Sequence, residues 1–164
     1  MRAWRQLLLR ALRVRVCFTA QARLMVQGPC IVICNHQSLL DGVIFALAAP
    51  VSMDYAVTPK YAVENAFTRC ALTFLERCGL GRVIPLSADK VISIRTLHRS
   101  LISGRSVMIF PTGTIRPADE KNGYLWLSQK TGCPIVRATI SGAGDSKLFA
   151  VDGKCIWPRI DLTI

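Results

Sequence analysis

The stretch NHQSLLD, Asn35–Asp41, carries the residue types best suited to chemistry: a histidine and, five positions later, an aspartate. It lies between two apolar runs, CIVIC (Cys30–Cys34) and GVIFALAA (Gly42–Ala49). That pattern reads as a strand, a tight turn carrying His36, and a helix whose first turn carries Asp41. Ligand sites in open α/β sheets gather at the C-terminal ends of strands. A carboxylate at a helix start can turn back and hold one imidazole nitrogen, leaving the other to face outward as a base. The same spacing suits a purely structural pair, because an acid in a first helical turn is favourable without any catalysis.

Two further strand ends bear on that choice. FPTGT (Phe110–Thr114) follows the β-branched and aromatic run SVMIF, and its glycine permits close backbone approach to a ligand. PIVRATISGAG (Pro134–Gly144) is another strand running into a glycine turn. Parallel order places all three junctions on one rim of a sheet.

The remaining elements must hold that rim together. Strands are expected at 14–18, 30–34, 53–57, 82–86, 106–110 and 134–140, with weaker ones near 148–151 and 160–164. Helices are expected at 41–49, at 59–78 with Ala62, Ala66, Leu72 and Leu75 as its buried stripe, at 88–102 with Ile92, Ile94 and Leu97 among its apolar positions, and at 122–130. This alternation predicts a single α/β domain with a mostly parallel mixed sheet flanked by helices. Residues 1–14 read as an amphipathic helix preceding a domain at 15–164. Arg2, Arg5, Gln6, Arg10 and Arg13 fall on one side and Trp4, Leu7, Leu8, Ala11 and Leu12 mainly on the other, with Leu9 the exception. Arginine with Trp and Leu is the composition of a helix lying in the headgroup plane of a membrane. The plainer reading is a surface helix docked on the domain; a cleavage site that would mark a signal peptide is missing.

The chain of 164 residues fits one domain, and its 51% apolar share does not require a membrane span. Asp41 and Pro50 interrupt its most apolar stretch, 39–53, which is too short to cross a bilayer. A net charge of +11 is distributed unevenly: six arginines and no acid precede Asp41. Such a pole attracts phospholipid headgroups or nucleic acid. The arginines sit on a Leu/Trp helix and no nucleic-acid motif is visible, so no nucleic-acid partner is expected. Seven cysteines without a C-x-x-C pair suit reduced core residues of a cytosolic protein. The Cys30, Cys34 and His36 spacing matches no zinc pattern, so no metal is expected. A nucleophilic Cys34 is disfavoured because its side chain should point into the sheet.

Taken in order, His36-x4-Asp41, the block Phe110-Pro111-Thr112-Gly113-Thr114 and the block Pro134–Gly144 resemble those of the glycerolipid acyltransferases over nearly the whole chain. ALRVRV, CIVICNHQSLLDG and RVIPLSAD are similar to the lysophosphatidylethanolamine acyltransferase half of bifunctional acyl-carrier-protein synthetases. The resemblance implies transfer of a fatty acyl chain from acyl-CoA or acyl-carrier protein, as co-substrate, to a lysophospholipid or glycerophosphate hydroxyl, with no bound cofactor. It implies His36 as general base and Asp41 as the group that orients it. Asn35, Pro111, Thr112, Gly113 and Thr114 would contact substrate, and Lys60, Arg82 and Arg116 are the cations near strand ends or loops that could take a phosphate. A peripheral location on the cytoplasmic face of a membrane follows from the same reading.

The chain departs from that family where glutamate normally stands, at Thr112, and where arginine follows the glycine, at Thr114 and Ile115. A threonine brings no charge, so the alternative is a lipid-binding member of the same fold with impaired catalysis. Ile84-Pro85-Leu86-Ser87 stands where relatives that read lysophosphatidic acid carry an arginine after an I-D pair, which favours another acceptor.

Overall fold

The computed structural model describes residues 3–57, 66–86, 90–115 and 118–164, with backbone only at 66–68 and 90–91. Ile31-Val32-Ile33 is a β-branched run with no polar break, the pattern of a strand buried on both faces. It forms the centre of the sheet as β2 (Ile31–Cys34), with every residue buried. The other strands are β1 (Val14–Cys17), β3 (Met53–Val57), β4 (Gly81–Pro85), β5 (Val107–Ile109), β6 (Ile135–Ser141) and β7 (Ile160–Thr163). Their order is β1-β7-β6-β2-β5-β3-β4. From β6 to β4 every pairing is parallel, whereas β7 runs antiparallel to β6 and carries β1 parallel to itself. Parallel register aligns Ile31 with both Val107 and Ile135, so β2, β5 and β6 deliver their following turns to one rim.

Helices cover both faces. On one side α1 (Ala3–Ala11), α3 (Asp41–Ala48) and α4 (Ala66–Arg77) pack on Val32, Cys34, Met53, Tyr55 and Val136. On the other, α5 (Lys90–Ile102) and α6 (Gly123–Thr131) pack on Ile31, Ile33, Ala56, Ile84 and Val107. The two sets alternate along each strand, as the two-residue period of a strand requires. A short α2 (Leu24–Gln27) leads into β2.

Several expectations change. Residues 148–151 are turns, not a strand, because their backbone folds back locally: Ala150 N–H donates to Ser146 O at 3.0 Å. The first part of the helix expected from Pro59, including Ala62, lies outside the described residues. Ile92 is exposed on α5, while Leu97 is buried as anticipated. Cys17, Cys70 and Cys155 are exposed, so fewer cysteines belong to the core than their apolar neighbours suggest. No described helix is long and apolar enough to cross a membrane.

The N-terminal helix is docked rather than free. Leu9, the exception to its apolar side, is its buried residue, and Trp4 meets Phe74 edge-on at 6.1 Å. Arg5 turns inward and donates to Leu47 O (2.8 Å), Ala46 O (2.6 Å) and Ala49 O (2.6 Å). Those are terminal carbonyls of α3 that lack helical partners, where a cation is favoured.

At the opposite rim from His36, Asp54 is fully buried and takes paired hydrogen bonds from Arg82 (3.1 and 2.7 Å) and Arg105 (2.9 and 2.5 Å). Burial pushes its carboxyl up, but hydrogen bonds from Arg82, Arg105 and Ser100 outweigh that and hold it at about 2, below the ordinary 3.8. A carboxyl depressed on folding contributes stability above its unfolded value and loses it as pH falls through its folded value. Urea unfolding should therefore show roughly 2 kcal/mol lost between about pH 4 and pH 2. Asp54→Asn should be less stable at neutral pH and flatter across that window; an unchanged acid limb would disprove the assignment.

Candidate active site

Asp41 opens α3 and is fully buried, yet every direction of its carboxylate is used. Oδ2 accepts from Gln37 N–H (2.5 Å), Ser38 N–H (2.8 Å) and His36 Nδ1 (2.9 Å), and Oδ1 accepts from the Ser38 hydroxyl (2.6 Å). The N-terminal end of α3 adds a favourable partial charge. With Oδ2 taking two backbone N–H bonds, the carboxylate accepts from Nδ1 of His36, which leaves Nε2 as the ring nitrogen turned away from Asp41. Phe110, just past β5, stacks on the imidazole with centroids 4.0 Å apart and planes 15° from parallel. The ring is held by the carboxylate at one edge and by the Phe110 ring against its face. Its side chain remains 17% exposed.

His36 stands where two cavities meet. An apolar groove, open at its mouth, is lined by His36, Leu39, Val43, Val57, Leu72 and Phe110 among others. A wider cleft is bordered by His36, Gln37, Thr112 and Asp152, with Ile115 and Val151 beside them. The first suits a hydrocarbon chain, and the second, the more polar of the two although part of its wall is apolar, has room for a hydrated group, with the imidazole between them.

The remaining candidates separate. Asn35 borders the cleft, and its amide is engaged with the backbone: it donates to Ile140 O (2.7 Å) and accepts from Ile140 N–H (2.7 Å), closing β2 onto β6. Arg82 is withdrawn as a phosphate ligand, because β4 starts at the far rim and its guanidinium is spent on Asp54. Lys60 and Arg116 lie outside the described residues. Pro111, Thr112, Gly113 and Thr114 form the turn after β5; Thr112 Oγ1 donates to Thr114 O (2.9 Å), and Gly113 holds a φ of +68° that disfavours side chains. Gly113 and His36 both border the apolar groove, and Thr112 borders the polar cleft.

Three contributors escaped the sequence reading. Phe110 stands in the FPTGT block, but nothing there shows that its ring stacks on His36, and Ser38 reads only as a turn residue. Lys121 reads as one more surface charge, but its N–H donates to Pro111 O (3.0 Å) and its ammonium lies against the Gly113 turn, 3.3 Å from where a β-carbon there would sit. Cys34 is no nucleophile: burial first, then the neighbouring Asp41 charge, push its thiol up to about 12 despite a backbone hydrogen bond to Ile140.

The profile of the family described as Acyltransferase matches residues 15–141, most of the chain, including His36, Asp41 and the turn after β5. The chain belongs to the acyltransferase family. Among solved structures, the 1-acyl-sn-glycerophosphate (LPA) acyltransferase PlsC from Thermotoga maritima is similar in fold. The TM-score is 0.62 at 19% identity, over 99% of this chain and 70% of that one. An acyltransferase moves an acyl group from a donor to an acceptor, and His36 borders both cavities.

The hydrogen bonds around Asp41 make a stability test possible. Ser38→Ala should lower unfolding free energy by about 1–2 kcal/mol, and Asp41→Ala, which strands four donors, by at least about twice as much. Equal losses in chemical denaturation would show that the carboxylate does not organise the turn.

Proposed function

We propose that this acyltransferase moves a fatty acyl chain from an acyl thioester, acyl-CoA or acyl-carrier protein, to the hydroxyl of a lysophospholipid or glycerophosphate. The observation that carries this reading is the Asp41-bound imidazole at the meeting point of an apolar groove and a polar cleft. The acyl chain lies in the groove and the acceptor headgroup in the cleft. Nε2 of His36 takes the hydroxyl proton as the oxygen attacks the thioester carbonyl, and Asp41 stabilises the imidazolium that forms. Collapse of the tetrahedral intermediate breaks the C–S bond, and the imidazolium returns its proton to the departing thiolate. A thioester is already activated, so the step needs no further cofactor. The basic N-terminal region supports work at a peripheral membrane position on the cytoplasmic face, where lysolipid and acyl chains partition.

One feature favours a second reading, a lipid-binding relative with impaired turnover. Thr112 brings no charge to the turn, and its hydroxyl is occupied within that turn. Wild-type protein without turnover, restored by Thr112→Glu, would establish it.

Thiol release measured over a panel of lysolipids, with both donor types, should show wild-type transfer. His36→Ala should lower kcat by about 10²–10⁴-fold with donor affinity retained. Full activity in that variant would overturn the base assignment.

A further inference from the structure

Residues 147–157, between β6 and β7, form a loop whose base is closed by Lys147 N–H to Cys155 O (2.8 Å) and Cys155 N–H to Asp145 O (2.9 Å). Gly153 packs so tightly against the Ser146 carbonyl that a side chain there would overlap it. The loop is thus a built element with a fixed shape, not a slack connection. It nevertheless turns Leu148, Val151, Ile156 and Trp157 outward, each between 50% and 63% exposed. Four large apolar side chains so close together on one loop are unusual for a surface facing only water.

Three connections define its place. The Trp157 indole N–H donates to Ala11 O (3.0 Å) at the end of α1, and Arg13 donates to Trp157 O (3.0 Å). One turn earlier on α1, Leu7 is also 63% exposed. Toward the site, Leu39 N–H donates to Phe149 O (2.8 Å), tying the loop to the turn that carries His36. Ala150, Val151 and Asp152 border the polar cleft itself. Exposed cations stand on the loop and on the segments joined to it: Lys147 and Lys154 within it, Arg159 just after it, and Arg10 and Arg13 at the end of α1. Against them stand Asp145, Asp152 and Asp161, of which Asp161 faces Arg159 at 4.0 Å.

We propose that the 147–157 loop, joined to the end of α1, is a membrane-docking element that seats an anionic lipid surface beside the polar cleft of His36. Apolar tips among cations fit an anionic bilayer interface, where chains enter the acyl boundary and ammonium and guanidinium groups meet headgroups. A protein partner or a second copy would also cover apolar side chains; the net positive surround favours the anionic surface. The use of the element rests on the lysolipid reading above, since a lipid acceptor must reach the cleft from a membrane.

Sedimentation with phosphatidylcholine vesicles containing phosphatidylglycerol should carry down the wild-type protein, and phosphatidylcholine alone should carry down much less. Leu148→Asp combined with Ile156→Asp should weaken that binding by at least about tenfold. Lys147→Glu with Lys154→Glu should weaken binding to the anionic vesicles and provides an independent test if the first pair fails to fold. Turnover of a short-chain thioester with a monomeric short-chain lysolipid should be unchanged in both. Wild-type vesicle affinity in both variants, or no affinity in the wild type, would overturn the proposal. So would a wild-type dimer in gel filtration that the Leu148/Ile156 pair splits, because the patch would then belong to a second copy. Vesicle binding without turnover of the soluble substrates would refute the acyl-transfer reading and leave the docking surface standing.

Discussion

The carboxylate of Asp41 is the constraint from which the active-site rim takes its shape. Burying such a group is costly unless its oxygens are met, and here two backbone N–H groups, a hydroxyl and an imidazole meet them. Those four bonds fold residues 36–38 around the start of α3. They also fix which edge of His36 faces outward. The orientation of the proposed base and the geometry of the turn therefore arise from the same contacts, and neither can be altered alone.

The parallel sheet makes that turn useful. β2, β5 and β6 end on one rim, so the His36 turn, the Phe110–Thr114 turn and the loop after β6 become neighbours although they are far apart in sequence. Phe110 supplies a flat wall for the imidazole, and the turn after β5 borders both cavities. The antiparallel β7 brings the chain back along β6 and carries β1 beside it, which sets the end of α1 close to the same rim.

How much of this was legible in the sequence depended on the range of the interaction. The α/β alternation, the central strand and the His36–Asp41 pair are local patterns, and periodicity with helix-start chemistry was enough to find them. Arg82 misled because its role is set by Asp54, 28 residues away on a neighbouring strand, which no local pattern reveals. The bonds of Asn35 are hidden in the same way: its partner Ile140 lies across the β2–β6 pairing. In α1, helical periodicity shows the amphipathic character, and Trp4 and Leu12 of its apolar side pack on the core, but it does not show that Arg5 and Leu9 also turn inward. A guanidinium can bury itself on open carbonyls, so Arg5 and Leu9 share the inner face. Residues 148–151 carry strand-like composition, yet their backbone bonds close within the loop.

The grip of Arg5 on the last turn of α3 has a practical consequence. The helix it caps is the one that begins at Asp41, so the N-terminal segment and the active-site turn sit at opposite ends of a single short rod. Trimming the first dozen residues to obtain a better-behaved catalytic fragment would bare three carbonyls and open the socket of Leu9. In this protein the apparent anchor is part of the enzyme's own keystone, and handling it as a removable tether would weaken the catalytic body.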